Sequence, residues 1–392
     1  MADVKYLILG TGMTADAAVR GIREIDPTGS IELIGLEADP PYKRPPLTKG
    51  LWKGKPIEQI WLKTQDLQVS LQVGRQAVSL NPAEHSLQDD QGVIHRGEKL
   101  LLAIGGTPRR LPFGGDQIIY YRTLADYRRL FQLCAHGMDF AVIGAGFIGS
   151  EISAALSKNG KHVSLLFPEE GIGSRMYPRD LSQFLNDFYR RKGVEVLPGE
   201  RVIQIERSGI RSILRTQGGR ELVVDGVVAG IGLQPNLELA QAAGLKVGQG
   251  ILVDEYLVTS APDVYAAGDV AEFFNPALDQ RMRVEHEDNA VTMGRQAGRN
   301  MAGAGEPYHH LPYFYSDLFE LGYEAVGVLD SSLTIHADWE TPFQKGVVVY
   351  SRPERVCGVL LWNVWDKIPQ ARELIAASQP FDREAARSLL GP

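Results

Sequence analysis

The chain has 392 residues, 44% of them hydrophobic and 42 of them glycine, more than one hydrophobic core usually fills, so two or three domains are expected. A formal charge of −7 and a pI near 5.7 argue against nucleic acid or an anionic membrane as the main partner, because both need a clustered positive field. Two cysteines, Cys134 and Cys357, with no C-x-x-C spacing signal neither a redox-active dithiol nor a structural metal site, and each reads as a buried packing thiol.

The N-terminus reads as strand by residue 5, which leaves no room for a signal peptide, and no apolar run is long enough to span a bilayer; a cytoplasmic protein is expected. Tyr6 to Ala18 (YLILGTGMTADAA) is an apolar strand that breaks at Gly10 and Gly12 and continues as a helix through Met13, Thr14 and Ala15. Gly10 permits the turn, Gly12 lets a pyrophosphate approach the backbone, and Ala15 takes the third small position, giving G-x-G-x-x-A. The helix N-terminus then presents free N–H groups to a phosphate. The next strand, residues 31–36, ends in Glu37, about 25 residues beyond the glycines, where a ribose-binding acid belongs.

Residues 38–52 carry prolines at 40, 41, 45 and 46 among Tyr42, Lys43, Arg44, Lys49 and Trp52. This is either a polyproline-type surface connection or a stiff loop lying along a cofactor. Residues 69–102 alternate apolar runs with turns, and the DDQG turn suggests a hairpin. They end at LLLAIGG, a strand that returns the chain to the cofactor at Ala103 and Gly105.

A second fingerprint follows, complete in Gly144, Gly146 and Gly149, with Phe147, Ile148 and Glu151 opening its helix. One such motif is weak evidence, whereas two, each between strand and helix, are not explained by packing. The next strand, HVSLLF, runs into Glu169 and Glu170, acids that bond an unphosphorylated ribose and repel a 2′-phosphate, so NADH is favoured over NADPH. Arg175, a few residues later, opposes that preference. Short strands over 194–228 lead to a second apolar-strand-then-glycine ending at Gly232. Asp269 follows Ala-Ala-Gly, where a carboxylate suits a bound polyol, and a helix begins around Glu285 and His286 with acids in its first turn. From Tyr313 the pattern becomes antiparallel β, with Trp362 and Trp365 expected in its core and a helix over about 369–377. His309-His310 lacks further ligands at metal spacing and is read as loop; no metal site is expected.

YKRPPLTKGLW (42–52), GAGFIGSE (144–151), LFPEEG (166–171), RVEHEDNAV (283–291), YSDL with GYEAVG (315–327) and GVLLWNVWDKIPQAR (358–372) together resemble the two-dinucleotide flavoprotein NAD(P)H reductases, the ferredoxin/rubredoxin reductase branch, and most of all the oxidoreductase portion of the apoptosis-inducing-factor type. The resemblance implies an α/β fold: two Rossmann-like dinucleotide-binding domains, for FAD and NADH, plus a C-terminal α+β domain with an antiparallel sheet. It implies FAD-binding parts at 1–112 and 238–305, an NADH-binding domain at 113–237 and a C-terminal interface domain at 306–392. Gly10, Gly12, Met13, Thr14 and Ala15 would hold the FAD pyrophosphate, Glu37 its adenosine ribose and Asp269 its ribitol. Arg44, Pro45 and Lys49 would pass beside the isoalloxazine, with Ala103, Gly105, Glu285, His286 and Tyr315 also around the flavin. Gly144, Gly146, Phe147, Ile148, Gly149, Glu151, Glu169 and Gly232 would serve NADH, with Glu151 beside the nicotinamide and paired to Lys49 as the catalytic pair.

The chain lacks the targeting region, the basic stretches and the long third-domain insertion of the apoptosis-inducing-factor type, and only a short link is expected between Ser331 and Gly346. Ile104 and Tyr315 depart from the pattern around the ring. The resemblance thus implies hydride transfer from NADH to FAD, then electrons to a separate acceptor: a ferredoxin or rubredoxin first, a quinone or dioxygen second. The alternative is a redox-switch protein that reoxidises slowly and changes dimer state or partner on NADH binding; a constitutive homodimer is the third option.

Overall fold

The computed structural model describes residues 3–391. The chain separates into two compact units, one made of residues up to Arg44, Pro56–Thr107 and Gln234–Tyr313, the other of Pro45–Lys55, Pro108–Leu233 and the residues from Phe314 on.

The first unit is built on Val4–Leu9, whose last four residues are buried on both faces, as a central parallel strand requires. It pairs in parallel with Ile31–Gly35 on one side and with Ile94–Leu102 on the other. Val264–Ala266 adds in parallel to Ile94–Leu102, so the chain returns to this sheet after its long excursion. The hairpin expected at DDQG joins Ser86–Asp89 to Ile94–Leu102. Helices Met13–Ile25 and Glu287–Met301 pack closely because glycines remove the side chains between them: a Cβ on Gly294, Gly298 or Gly21 would run into the backbone of Thr14, Ala18 or Arg295.

The second unit holds a five-stranded all-parallel sheet with Asp139–Ile143 flanked by His162–Phe167 and Gly226–Ala229. Three short strands, Val202–Ser208, Arg211–Thr216 and Glu221–Val224, form an antiparallel flap. Its C-terminal part is a five-stranded antiparallel sheet whose middle strands, Lys345–Arg352 and Arg355–Trp362, are almost wholly buried. Helix Ile368–Ala376 packs on that sheet.

Four expectations change. The short link between Ser331 and Gly346 is instead a strand, Thr334–Thr341, paired along Lys345–Arg352 at the sheet edge; its residues are half-buried and carry His336, Asp338 and Glu340, which masks the alternation. Trp362 is fully buried, but Trp365 is 48% exposed, because it lies beyond the last strand. Cys357 is buried as expected, whereas Cys134 ends a helix and is half-buried. A further helix, Arg383–Leu390, capped by Asp382 through the N–H groups of Glu384 and Ala385, follows where none was read. Among the described residues no helix is long and apolar enough to cross a membrane.

Candidate functional site

The candidate residues fall into two groups, one in each unit. In the first unit, Gly10 has φ +133, and a Cβ there would strike the carbonyl of Ala103, so only glycine fits between the two strand ends. Gly12 is the N-cap of Met13–Ile25 and supplies no side-chain cap, leaving the first N–H groups of the helix to another acceptor. A Cβ on Gly12 would meet only Arg44, at 3.9 Å: the glycine lines open space with a guanidinium on its rim. Met13, Thr14 and Ala15 are buried behind it.

Glu37 follows its strand as expected and accepts from the Arg44 guanidinium and from the Tyr42 hydroxyl. Arg44 also donates to Tyr42 at 3.2 Å, and its own backbone N–H reaches the sulfur of Met13. Burial works against the Arg44 charge, but Tyr42, Glu37 and Asp269 around it hold its pKa above the ordinary guanidinium value. The structure thus brings Arg44 together with Gly12 and Glu37. Asp269 is buried in a short turn entered through Gly268, whose φ of +77 and contact with Thr14 again demand glycine. The Asp269 carbonyl accepts from Arg283, which pairs with Glu285 at 2.6 Å. His286 is the N-cap of Glu287–Met301, again without a side-chain cap. Burial pushes its pKa down to about 4, against the opposing pull of Asp269 and Asp288, so the imidazole is neutral at pH 7. Gly105 takes φ +58, and its carbonyl accepts from the Asn236 backbone.

In the second unit, the turn is repeated. Gly144 has φ +96, and a Cβ there would meet the Gly230 carbonyl; a Cβ on Gly149 would overlap the Gly144 carbonyl, so Gly149 is what lets the helix sit on the strand. Gly146, the N-cap of Phe147–Lys158, has open space where its side chain would be. One turn into that helix, Glu151 is buried and accepts three donors: Lys49, Thr48 at 2.5 Å and Ser316 at 2.6 Å. The Lys49 ammonium lies 5.2 Å from the Tyr315 ring centre and 3.8 Å from Asp317. Phe147 stands edge-on to Phe314, 5.5 Å between centroids, while Ile148 packs at Gly230. Pro45 opens the short helical turn that leads to Thr48, whose hydroxyl also reaches the Pro45 carbonyl. Glu169 accepts from Arg175 at 2.7 Å, and Glu170 pairs with Arg179 at 3.0 Å. Gly232, φ +98, offers its carbonyl to Arg109.

Thr48, Ser316 and Arg283 were not singled out in the sequence, and Tyr42 was named only as part of the proline-rich stretch, without a partner. Thr48 and Tyr42 stand within YKRPPLTKGLW and Ser316 within YSDL, but a hydroxyl carries no periodic signal; only the fold shows which carboxylate it meets. Both glycine cradles, each at a helix start whose N-cap glycine makes no side-chain cap, fit a dinucleotide pyrophosphate, and Glu37 and Asp269 fit ribose and polyol hydroxyls. Among the described residues no group of three or more metal-ligating side chains is assembled.

A family model for pyridine nucleotide-disulphide oxidoreductases matches residues 4–294, and one for the C-terminal part of mitochondrion-associated apoptosis-inducing factor matches 297–342 and 335–377. The ferredoxin reductase subunit of a 5,5′-dehydrodivanillate O-demethylase from Sphingobium sp. is 33% identical, over 98% of this chain and 96% of its own length. Apoptosis-inducing factor 1 of Dictyostelium discoideum is 32% identical, over 95% of this chain and 78% of its own length. Among solved structures, the reductase of a covalent putidaredoxin reductase–putidaredoxin complex superposes with a TM-score of 0.90 at 30% identity, covering 100% of this chain and 96% of its own.

Proposed function

The chain belongs to the pyridine nucleotide-disulphide oxidoreductase family, and from that premise we propose an FAD-dependent NADH:acceptor oxidoreductase whose acceptor is a small ferredoxin or rubredoxin. It is an NAD(P)H-dependent flavoprotein enzyme, but its two free cysteines do not form the dithiol that the family's name evokes. The observation that carries the reading is the doubled cradle, Gly10-Gly12 and Gly144-Gly146, with the buried Glu151–Lys49 pair in the same unit as the second.

When bound, the flavin supplies the acceptance of a hydride from nicotinamide and the release of its electrons singly. The protein's part is placement. Gly10, Gly12 and the start of Met13–Ile25 hold the FAD pyrophosphate, Glu37 with Tyr42 and Arg44 the adenosine ribose, and Asp269 the ribitol. Gly144, Gly146 and the start of Phe147–Lys158 hold the NADH pyrophosphate, and Glu169 its adenosine ribose. Glu151, fixed by Thr48 and Ser316, keeps the Lys49 ammonium at one position, a fixed cation of the kind that would favour an anionic reduced flavin. His286, neutral, begins the helix whose N-terminus adds a partial positive charge. The functional division follows: 1–112 with 238–305 for FAD, 113–237 for NADH and 306–392 as interface. The two free cysteines suit a reducing compartment, and we place the enzyme in the cytoplasm.

The test is anaerobic stopped-flow reduction by NADH and by NADPH, followed by mixing with an oxidised ferredoxin. Fast bleaching by NADH and fast reoxidation are expected, and Glu169→Ala, which frees Arg175, narrows the gap between NADH and NADPH. A long-lived, long-wavelength charge-transfer band that reoxidises slowly would instead support the second reading, a redox switch, which the match to the apoptosis-inducing-factor C-terminal model favours.

A further inference from the structure

The second unit carries a face of cations seated on aromatic rings. Lys158, the last residue of Phe147–Lys158, donates to the Phe319 carbonyl at 3.0 Å and stands 5.3 Å from the centre of that ring. Lys192 stands 5.3 Å from the Phe188 ring and pairs with Glu320 at 2.5 Å, while Arg191 lies over Phe184 and Phe188. Phe319 takes φ 62 in the two-residue turn between Tyr313–Leu318 and Leu321–Gly327, a left-handed position that disfavours a bulky residue. Its ring is held there by edge contacts with Tyr189 and Phe188. On the other side of Lys158, the amide of Asn159 donates to the Trp52 carbonyl at 3.2 Å, which brings Lys53 alongside. Trp52 packs on Phe131, and Phe131, stacked on Tyr127, is 52% exposed.

Positive charge accumulates on this face. Burial first, then the field of Lys53, lowers the Lys158 pKa, while Glu320 and Asp317 raise it and Lys192 adds a smaller lowering. Asp317 also lies 3.8 Å from Lys49, so the face runs up to the candidate catalytic pair. Along the helix, Glu151 and Lys158 are about 10 Å apart at 1.5 Å per residue.

We propose that this face, centred on Lys53, Lys158 and Lys192 with Phe131 at its edge, docks a small acidic electron-transfer protein. The proposal rests on the acceptor reading above. The chain as a whole is negative, which repels such a partner at long range, so a local cationic patch has to orient the encounter. Lysines already held over rings lose less freedom on docking than free ones, and an exposed aromatic ring supplies the apolar anchor. Each NADH yields two electrons, so two oxidised [2Fe–2S] ferredoxins each take one, NAD⁺ is released and one proton is set free.

The holoenzyme and a Lys53→Glu/Lys158→Glu variant are compared with NADH as donor and either a net-negative [2Fe–2S] ferredoxin or neutral benzoquinone as acceptor, across ionic strength. Equilibrium binding of oxidised ferredoxin is measured alongside. The expected result is a kcat/KM for ferredoxin reduced on the order of tenfold or more, carried by KM and by weaker binding, with a flattened salt dependence and unchanged benzoquinone reduction. A second variant, Phe131→Ala, is expected to weaken ferredoxin binding without changing the salt dependence. If the wild type reduces ferredoxin and the charge-reversed variant does so equally well with the same salt dependence, the docking face is wrong and the acceptor reading stands. If the wild type reduces benzoquinone but not ferredoxin, the acceptor reading fails and the proposal with it.

Discussion

Glu151 is a buried carboxylate on which three donors from distant segments of the second unit converge. Its carboxylate is buried and held by Lys49, Thr48 and Ser316, so deleting the cation leaves a charge with two hydroxyl donors. Lys49→Ala is therefore expected to cost about 3 kcal/mol of stability as well as slowing flavin reduction by NADH. Lys49→Met/Glu151→Gln should recover stability but not rate, because the double change removes the stranded charge while leaving the site without its cation. Thermal unfolding and stopped-flow reduction check the two halves separately. His286 gives a pH signature of its own. Its pKa in the fold lies at about 4, below the 6.5 of an unhindered imidazole, so between those values the unfolded chain binds the additional proton. Stability contributed by the neutral ring is present above pH 6.5 and is lost as pH falls towards 4. Unfolding midpoints of the holoenzyme against His286→Gln should converge at pH 7 and separate on acidification, the wild type losing more. Single residues of this kind were the least legible in the sequence: Glu151 and Lys49 could be named from their motifs, but Thr48 and Ser316 join them only because distant segments meet.

At the scale of elements, the two glycine turns make a sharp comparison. Gly146 faces open space, whereas Gly149 is pressed against the Gly144 carbonyl, so the same methyl group has different consequences three residues apart. Gly149→Ala is expected to destabilise the fold by about 1–3 kcal/mol through overpacking. Gly146→Ala should leave the melting temperature nearly unchanged and raise the Kd for NADH, since the methyl would occupy the room a pyrophosphate needs. Calorimetric melting and NADH titration of both variants decide it; equal losses in both assays would show that the two glycines do not divide the work. The strand–glycine–helix units could be read because a buried parallel strand is a continuous apolar run and the glycines punctuate it. The edge strand Thr334–Thr341 could not, because half-buried residues interrupted by charges leave no clear period.

For the whole molecule, the competing functions differ in mass and in time. An electron-transfer reductase turns over with its acceptor and needs no change of assembly; a redox switch holds NADH and changes what it binds. Sedimentation of the holoenzyme with and without NADH is expected to give the same mass. A shift to dimer on NADH, together with slow reoxidation, would favour the switch.

Composition, two dinucleotide fingerprints and the acids placed after their second strands were legible from the chain alone, because each depends on residues near one another in sequence and on local backbone geometry. Fold class and coenzymes were implied by the family resemblance that these and the further motifs carry. The sequence alone left undecided whether Arg44 lies near Glu37, whether Glu169 is already engaged by Arg175, and whether scattered lysines gather on one face. The first two pairs stand only seven and six residues apart and turn on the path of a single irregular loop, whereas the lysines come from segments tens to more than a hundred residues apart. All are set by how the chain packs, and no periodicity along it encodes them.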